Sequence, residues 1–96
     1  MIEIKMSEIV GNFAENKDLA REIRLNNIIP SLEKNEEVVI GFEMVDAATQ
    51  SFMHALISDL IRKYGSEVLD KISFKNCNET IKKIISIVVD YMQEGL

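Results

Sequence analysis

Ninety-six residues bound the chain to a single domain, 1–96, with room for one modest core but not for a deep substrate cavity under a lid. With 47% apolar and 28% charged residues the composition is that of a folded chain, and the net charge of −5 weighs against nucleic acid and anionic membrane surfaces as partners. The single cysteine, Cys77, excludes an intramolecular disulfide and a cysteine-built metal site. The opening MIEIKMSEIV lacks a signal-peptide pattern and no apolar run approaches a membrane span, so a reducing, cytoplasmic location is expected.

Residues 2–6 alternate, with Ile2, Ile4 and Met6 apolar around Glu3 and Lys5, which predicts a half-buried strand. Gly11-Asn12 signals a turn within 7–14. A helix is expected to start between Glu15 and Asp18 and to carry Leu19, Ile23 and either Ile28 or Leu32 inward. Pro30 falls inside that pattern, has no N–H for the carbonyl of Asn26, and predicts a kink or break. The β-branched run EVVIGF at 37–42 predicts a central strand buried on both faces, with Gly41 allowing close helix packing or a bulge.

The small polar stretch DAATQS at 46–51 leads into FMHALISDLIRKY. There Phe52, Leu56 and Leu60 form one line of a helix, and Met53, Ile57, Ile61 and Tyr64 the next. Ser51 is the expected N-cap and Gly65 the stop. Ile72 and Phe74 alternate around Ser73 as a third strand. Asn76 or Asn78 is expected to cap a last helix that buries Ile81, Ile84, Ile85, Val88, Tyr91 and Met92 before Gly95 punctuates the end. Ile87 and Val89 fall partly outside that face and read as further core, with a partner-facing patch as the alternative. The order βαβαβα predicts an α/β domain with a mostly parallel sheet and packed helices.

Catalytic chemistry finds little to stand on. The one histidine, His54, lies three residues from Ser51, but no third group orients it and no oxyanion hole is evident, so no catalytic residue is assigned. There is no dinucleotide fingerprint, phosphate-binding loop or metal-ligand spacing, and no cofactor is expected. Glu36 and Glu37 point to opposite sides of an extended chain and cannot chelate together. Cys77 precedes a helix start, where a thiol pKa can fall, yet it reads as a small packed hydrophobe. Thr49-Gln50-Ser51-Phe52 is the most informative segment, because its two hydroxyls sit at a strand-to-helix junction. Plain capping accounts for them, while a helix amino end would also favour a phosphate on Ser51.

The strand VVIGFEMV running into DAATQSF, then HALISDLIRKYG and EVLDKISFKNCNETIKKII, resembles the STAS-like domains of unknown function of bacteria and phages, over about residues 19–90. Those domains are relatives of the anti-sigma factor antagonists. The resemblance implies a parallel-dominated sheet with packed helices and a binding role. Anti-sigma antagonists dock on a histidine-kinase-like ATPase that phosphorylates a serine at the start of the helix after a central strand, and Ser51 matches that position. Their Asp-Ser-Ser-Gly or Asp-Ser-Thr-Gly run is altered here: Thr49 stands for the aspartate, Gln50 for the first hydroxyl residue and Phe52 for the glycine.

The expectation is therefore a non-catalytic regulatory module. It would bind a protein partner, a histidine-kinase-like ATPase or related regulator, through Asp46, Gln50, Ser51, Phe52, Met53 and His54. Phe52 or Met53 would be the apolar anchor, Ser51 the first phospho-acceptor and Thr49 the second. The alternative is a homodimer that covers the central strand and the wide apolar face of the last helix.

Overall fold

Two separate parallel sheets organise the chain in the computed structural model, which describes residues 1–94. The elements run β1 (Ile2–Lys5), α1 (Ser7–Val10), β2 (Phe13–Ala14), α2 (Lys17–Ile23), a π-helical turn (Arg24–Ile28), α3 (Ile29–Glu33), β3 (Val38–Gly41) and β4 (Ala47–Ala48). Then follow α4 (Gln50–Tyr64), a 3₁₀ turn (Ser66–Asp70), β5 (Ile72–Lys75) and α5 (Glu79–Glu94). The protein is thus a mixed α/β domain with parallel sheets and packed helices. The short pieces α1, β2, β4 and the 3₁₀ turn were not expected; two-residue strands carry no periodicity for a sequence reading to find.

The main sheet has the order β1-β3-β5, with β3 central and every pair parallel. Its register aligns Ile2, Val38 and Ile72 in one row and Ile4, Ile40 and Phe74 two rows on, all on the same face. That face joins the core formed with the helices. The rows between carry Glu3, Val39 and Ser73, then Lys5, Gly41 and Lys75, on the other face. Glu3, Lys5, Ser73 and Lys75 are exposed and Val39 is half-buried. The expectation of a central strand buried on both faces is met in part: Val38 and Ile40 are fully buried on the helix face, while on the other face Gly41 is buried and Val39 is half-buried beside the exposed Glu3 and Ser73. Lys75 Nζ lies 3.8 Å from Glu3 Oε2 across this open face. Gly41 provides neither a bulge nor room for a helix. A Cβ there would meet only the carbonyl oxygen of Ile4, at 3.6 Å, an ordinary contact.

Helix α4 packs against both α2 and α5. Its middle position buries both lines of its apolar pattern, Phe52, Leu56 and Leu60 together with Met53, Ile57 and Ile61. It ends at Gly65, whose φ of +79° suits a residue without a Cβ. Helix α5 lies at one side of the layer and buries a narrower stripe: Ile81, Ile85, Val88 and Met92. Tyr91, expected in the core, is 66% exposed, and Ile87 is 40% exposed. Asn78, not Asn76, caps α5 by accepting the Ile81 amide at 2.9 Å.

Pro30 neither breaks nor ends its helix. The chain stays helical from Lys17 to Glu33, with the turn before Pro30 widened so that Ile29 N–H donates to the carbonyl of Arg24, five residues back. A proline withholds an N–H and crowds the carbonyl four residues earlier; a π turn shifts that carbonyl aside without interrupting the helix. The wide turn also aims Arg24 into the α4 interface. Arg24 is 8% exposed, hydrogen-bonds the carbonyl of Ala55 and pairs with Asp59 Oδ2 at 3.1 Å. At the far end of the same helix pair, Tyr64 donates its hydroxyl to Glu33 Oε1 at 2.8 Å, and Lys63 lies 3.3 Å from the same oxygen. The Tyr64 hydroxyl foremost, and the Lys63 ammonium with it, hold the Glu33 carboxyl below the usual carboxylate range.

Two stability effects follow. Arg24→Ala should lower the unfolding free energy by about 2 kcal/mol, less than a fully buried pair would lose because Asp59 stays half-open to water, and Arg24→Met should recover part of that by keeping the stem. Gly41→Ala should be neutral or stabilise by about 0.5 kcal/mol, since the strand loses backbone entropy cost and meets no clash. Urea denaturation read by circular dichroism checks both.

Candidate functional site

The small sheet builds the site. Parallel pairing of β2 with β4 sets Phe13 beside Ala47 and Ala14 beside Ala48. The Thr49 amide continues the ladder to the carbonyl of Ala14 at 2.9 Å. Helices α2 and α4 start within three residues of these strands, so their amino ends emerge at one rim. Asn16 caps α2, its Oδ1 accepting the amides of Asp18 and Leu19. Thr49 caps α4, its Oγ1 accepting the Phe52 amide at 3.0 Å. The expected cap at Ser51 is corrected: the helix begins two residues earlier, because Thr49 is the residue left in extended geometry at the end of β4.

Moving the cap by two residues reassigns every side chain of the TQSF segment. Gln50 and Ser51 become the first two helical residues and are exposed. His54 is half-buried. Phe52 and Met53 are both 0% exposed. They point into the core between the helices and the sheet, so neither can be a surface anchor for a partner. Thr49 is half-buried with its oxygen engaged as the cap.

A groove of about 510 Å³ opens beside the exposed residues, lined by Lys17, Gln50, Ser51, His54 and Ala55 on one side and by Ile87, Val88 and Tyr91 of α5 on the other. The His54 and Tyr91 rings meet edge-on with centroids 6.1 Å apart, joining the two walls. Gln50, Ser51 and His54 are therefore brought together on one wall of the groove. Asp46 is exposed but belongs to the loop outside this groove. Its amide donates to the carbonyl of Asn12 at 2.8 Å, and its own carbonyl accepts from Asn78 Nδ2 at 2.9 Å, which fastens the loop to the start of α5. Met44 in the same loop holds φ +67°, a left-handed conformation that costs a non-glycine residue roughly 1 kcal/mol.

Lys17, Ile87 and Tyr91 were not assigned to the site from sequence. Ile87 carried a signal, since it falls off the apolar stripe of α5; Lys17 carried none, because only the β2–β4 pairing brings α2 to this rim. Cys77 is half-buried away from the groove, and burial pushes its thiol pKa up, against the lowering that a helix start would give. Among the described residues, no group of three or more His, Cys, Asp or Glu side chains could hold a metal ion, and no helix is long and apolar enough to cross a membrane.

A parallel three-stranded sheet with one helix layer, and a helix start exposed at its rim, define the class as a small α/β domain. The model of the family described as a STAS-like domain of unknown function (DUF4325) matches residues 19–82, two-thirds of the chain. The chain belongs to that family. No curated protein and no solved structure matches it.

The two hydroxyls of the segment should separate cleanly in stability. Thr49→Ala should cost about 1 kcal/mol through loss of the cap, and Ser51→Ala should stay within about 0.5 kcal/mol of the parent. Thermal unfolding of the two variants side by side measures the difference.

Proposed function

We propose that this chain is a non-catalytic regulatory module that binds a protein partner in the groove between the start of α4 and the second half of α5. The observation that carries the reading is the groove's make-up: Ile87, Val88 and Tyr91 on one wall face Gln50, Ser51 and His54 on the other. The exposed Tyr91 and Ile87 above the buried Val88, beside a polar rim, have the pattern of a protein-binding patch. Tyr91 and Ile87 take the anchoring role that Phe52 and Met53 cannot fill. The partner is a histidine-kinase-like ATPase or a related regulator, in keeping with the resemblance to anti-sigma antagonists, and the setting is the cytoplasm.

Phosphorylation of Ser51 is the proposed switch. Ser51 is exposed at the second position of a fifteen-residue helix, where a phosphate is favoured by the helix dipole. Lys17 lines the same groove and supplies a cation for it. The added charge of about −2 would alter the polar wall without disturbing the core. Thr49 is the weaker acceptor, because its oxygen already serves the Phe52 amide.

The test is site-specific photocrosslinking in the native host, with p-benzoylphenylalanine placed at Ile87 and, as control, at Ser73 on the open sheet face. An adduct is expected at Ile87 and not at Ser73, and Ser51→Glu should reduce it several-fold. No adduct at Ile87 would defeat the docking reading; an adduct indifferent to Ser51→Glu would defeat the switch.

A further inference from the structure

Strand β1 is an edge of the main sheet, and its hydrogen-bonding groups divide by residue parity. Ile2 N–H donates to the carbonyl of Glu37 and Met6 N–H to that of Gly41, both at 3.0 Å, so the even residues face β3. The amides and carbonyls of Glu3 and Lys5 consequently point away from the sheet. Among the described residues, neither of those amides donates to another backbone carbonyl. Both side chains are exposed on the open face. The edge thus offers two donors and two acceptors, bracketed by one negative and one positive side chain.

We infer that this edge pairs with β1 of a second copy of the chain, antiparallel and two-fold symmetric about Ile4. In that register Glu3 lies opposite the second copy's Lys5, and Lys5 opposite its Glu3. These are the residues whose backbone groups point outward, so all four N–H and C=O groups of each pair engage, giving four hydrogen bonds across the two-fold axis. Residues directly opposite in an antiparallel pair share a face, so each carboxylate meets an ammonium. The neighbouring symmetric registers fail: one sets Glu3 against Glu3, the other Lys5 against Lys5. A two-fold axis perpendicular to the sheet leaves both helix layers on one side and joins the two open faces into a six-stranded surface.

The opposite edge is guarded against the same event. On β5 the carbonyls of Lys71 and Lys75 accept from Val38 and Phe42 of the β3 segment, so Ile72 and Phe74 are the outward residues. Two-fold pairing of Ile72 with Phe74 would set Lys71 opposite Lys75 twice, a like-charge clash of the kind that protects edge strands. Pairing β1 with β5 in antiparallel fashion would set the charged Glu3 beside the core residue Phe74. Among these antiparallel pairings, β1 with β1 is the one that satisfies hydrogen bonds and charges together. Glu3 keeps its 3.8 Å contact with Lys75 of its own chain, a surface ion pair whose loss the fold tolerates. With two outward residues per copy, the association is weak and depends on concentration.

Sedimentation velocity from about 10 µM to roughly 1 mM tests this on the whole chain, with circular dichroism confirming that each variant is folded. The parent should show reversible monomer–dimer exchange. Glu3→Lys and Lys5→Glu should each weaken it by roughly tenfold or more, by setting like charges opposite. An equimolar mixture of the two variants should associate again, as should the double swap E3K/K5E. A parent that remains monomeric at the highest concentration, an assembly larger than a dimer, or self-association that ignores the single reversals would overturn the inference.

Discussion

The enclosure of α4 is the constraint from which the rest of the structure follows. Flanked by α2 and α5 and seated on the sheet, this helix buries Phe52, Met53, Leu56, Ile57, Leu60 and Ile61, more apolar surface than one amphipathic stripe would supply. At roughly 1.5–3 kcal/mol for each fully buried large apolar side chain, no other element contributes as much to a domain this small. The same enclosure decides what α4 can show to a partner. Apart from Asp59 and the charged carboxyl end at Arg62 and Lys63, what remains outside is its amino end at Gln50 and Ser51 and the half-buried His54, and these meet α5 where that helix turns Ile87 and Tyr91 away from the core.

Polar contacts then fix how the helices sit around α4. Arg24 is delivered to the α2–α4 interface by a π turn, where its guanidinium reaches Ala55 and Asp59. At the other end the Tyr64–Glu33 hydrogen bond ties α4 to α3. The β2–β4 pair holds the two amino ends at one rim, and Asn78 caps α5 while gripping the loop around Asp46. Each of these groups serves geometry more than net stability, because polar contacts in water exchange one set of hydrogen bonds for another. Together they place Lys17, Ser51, His54 and Tyr91 around one groove.

One-sided cover has its own consequence for the sheet. With helices on a single face, β1 and β5 are short edges, and their treatment differs: β5 carries Lys71 and Lys75 around its outward groups, whereas β1 alternates Glu3 with Lys5. Charges of one sign discourage strand addition, and charges of alternating sign are self-complementary about a two-fold axis. The groove and the β1 edge lie on different elements, so a partner in one leaves the backbone of the other free.

The sequence by itself determined what local periodicity and composition can determine. Alternation gave β1 and β5, the β-branched run gave β3, the paired apolar lines gave α4, and a glycine gave its end; the parallel order followed from strands separated by helices. Gln50, Ser51 and His54 were legible as a helix start for the same reason. What only the tertiary structure decided depends on contacts distant in the chain. The two-residue strands exist through their pairing, and that pairing moved the cap from Ser51 to Thr49 and brought Lys17 to the rim. The position of α4 between two helices sent Phe52 and Met53 inward, and the outer position of α5 sent Tyr91 outward. An apolar residue on a helix records that some face is buried; which face, and how wide, is set by the number of neighbours that pack on it.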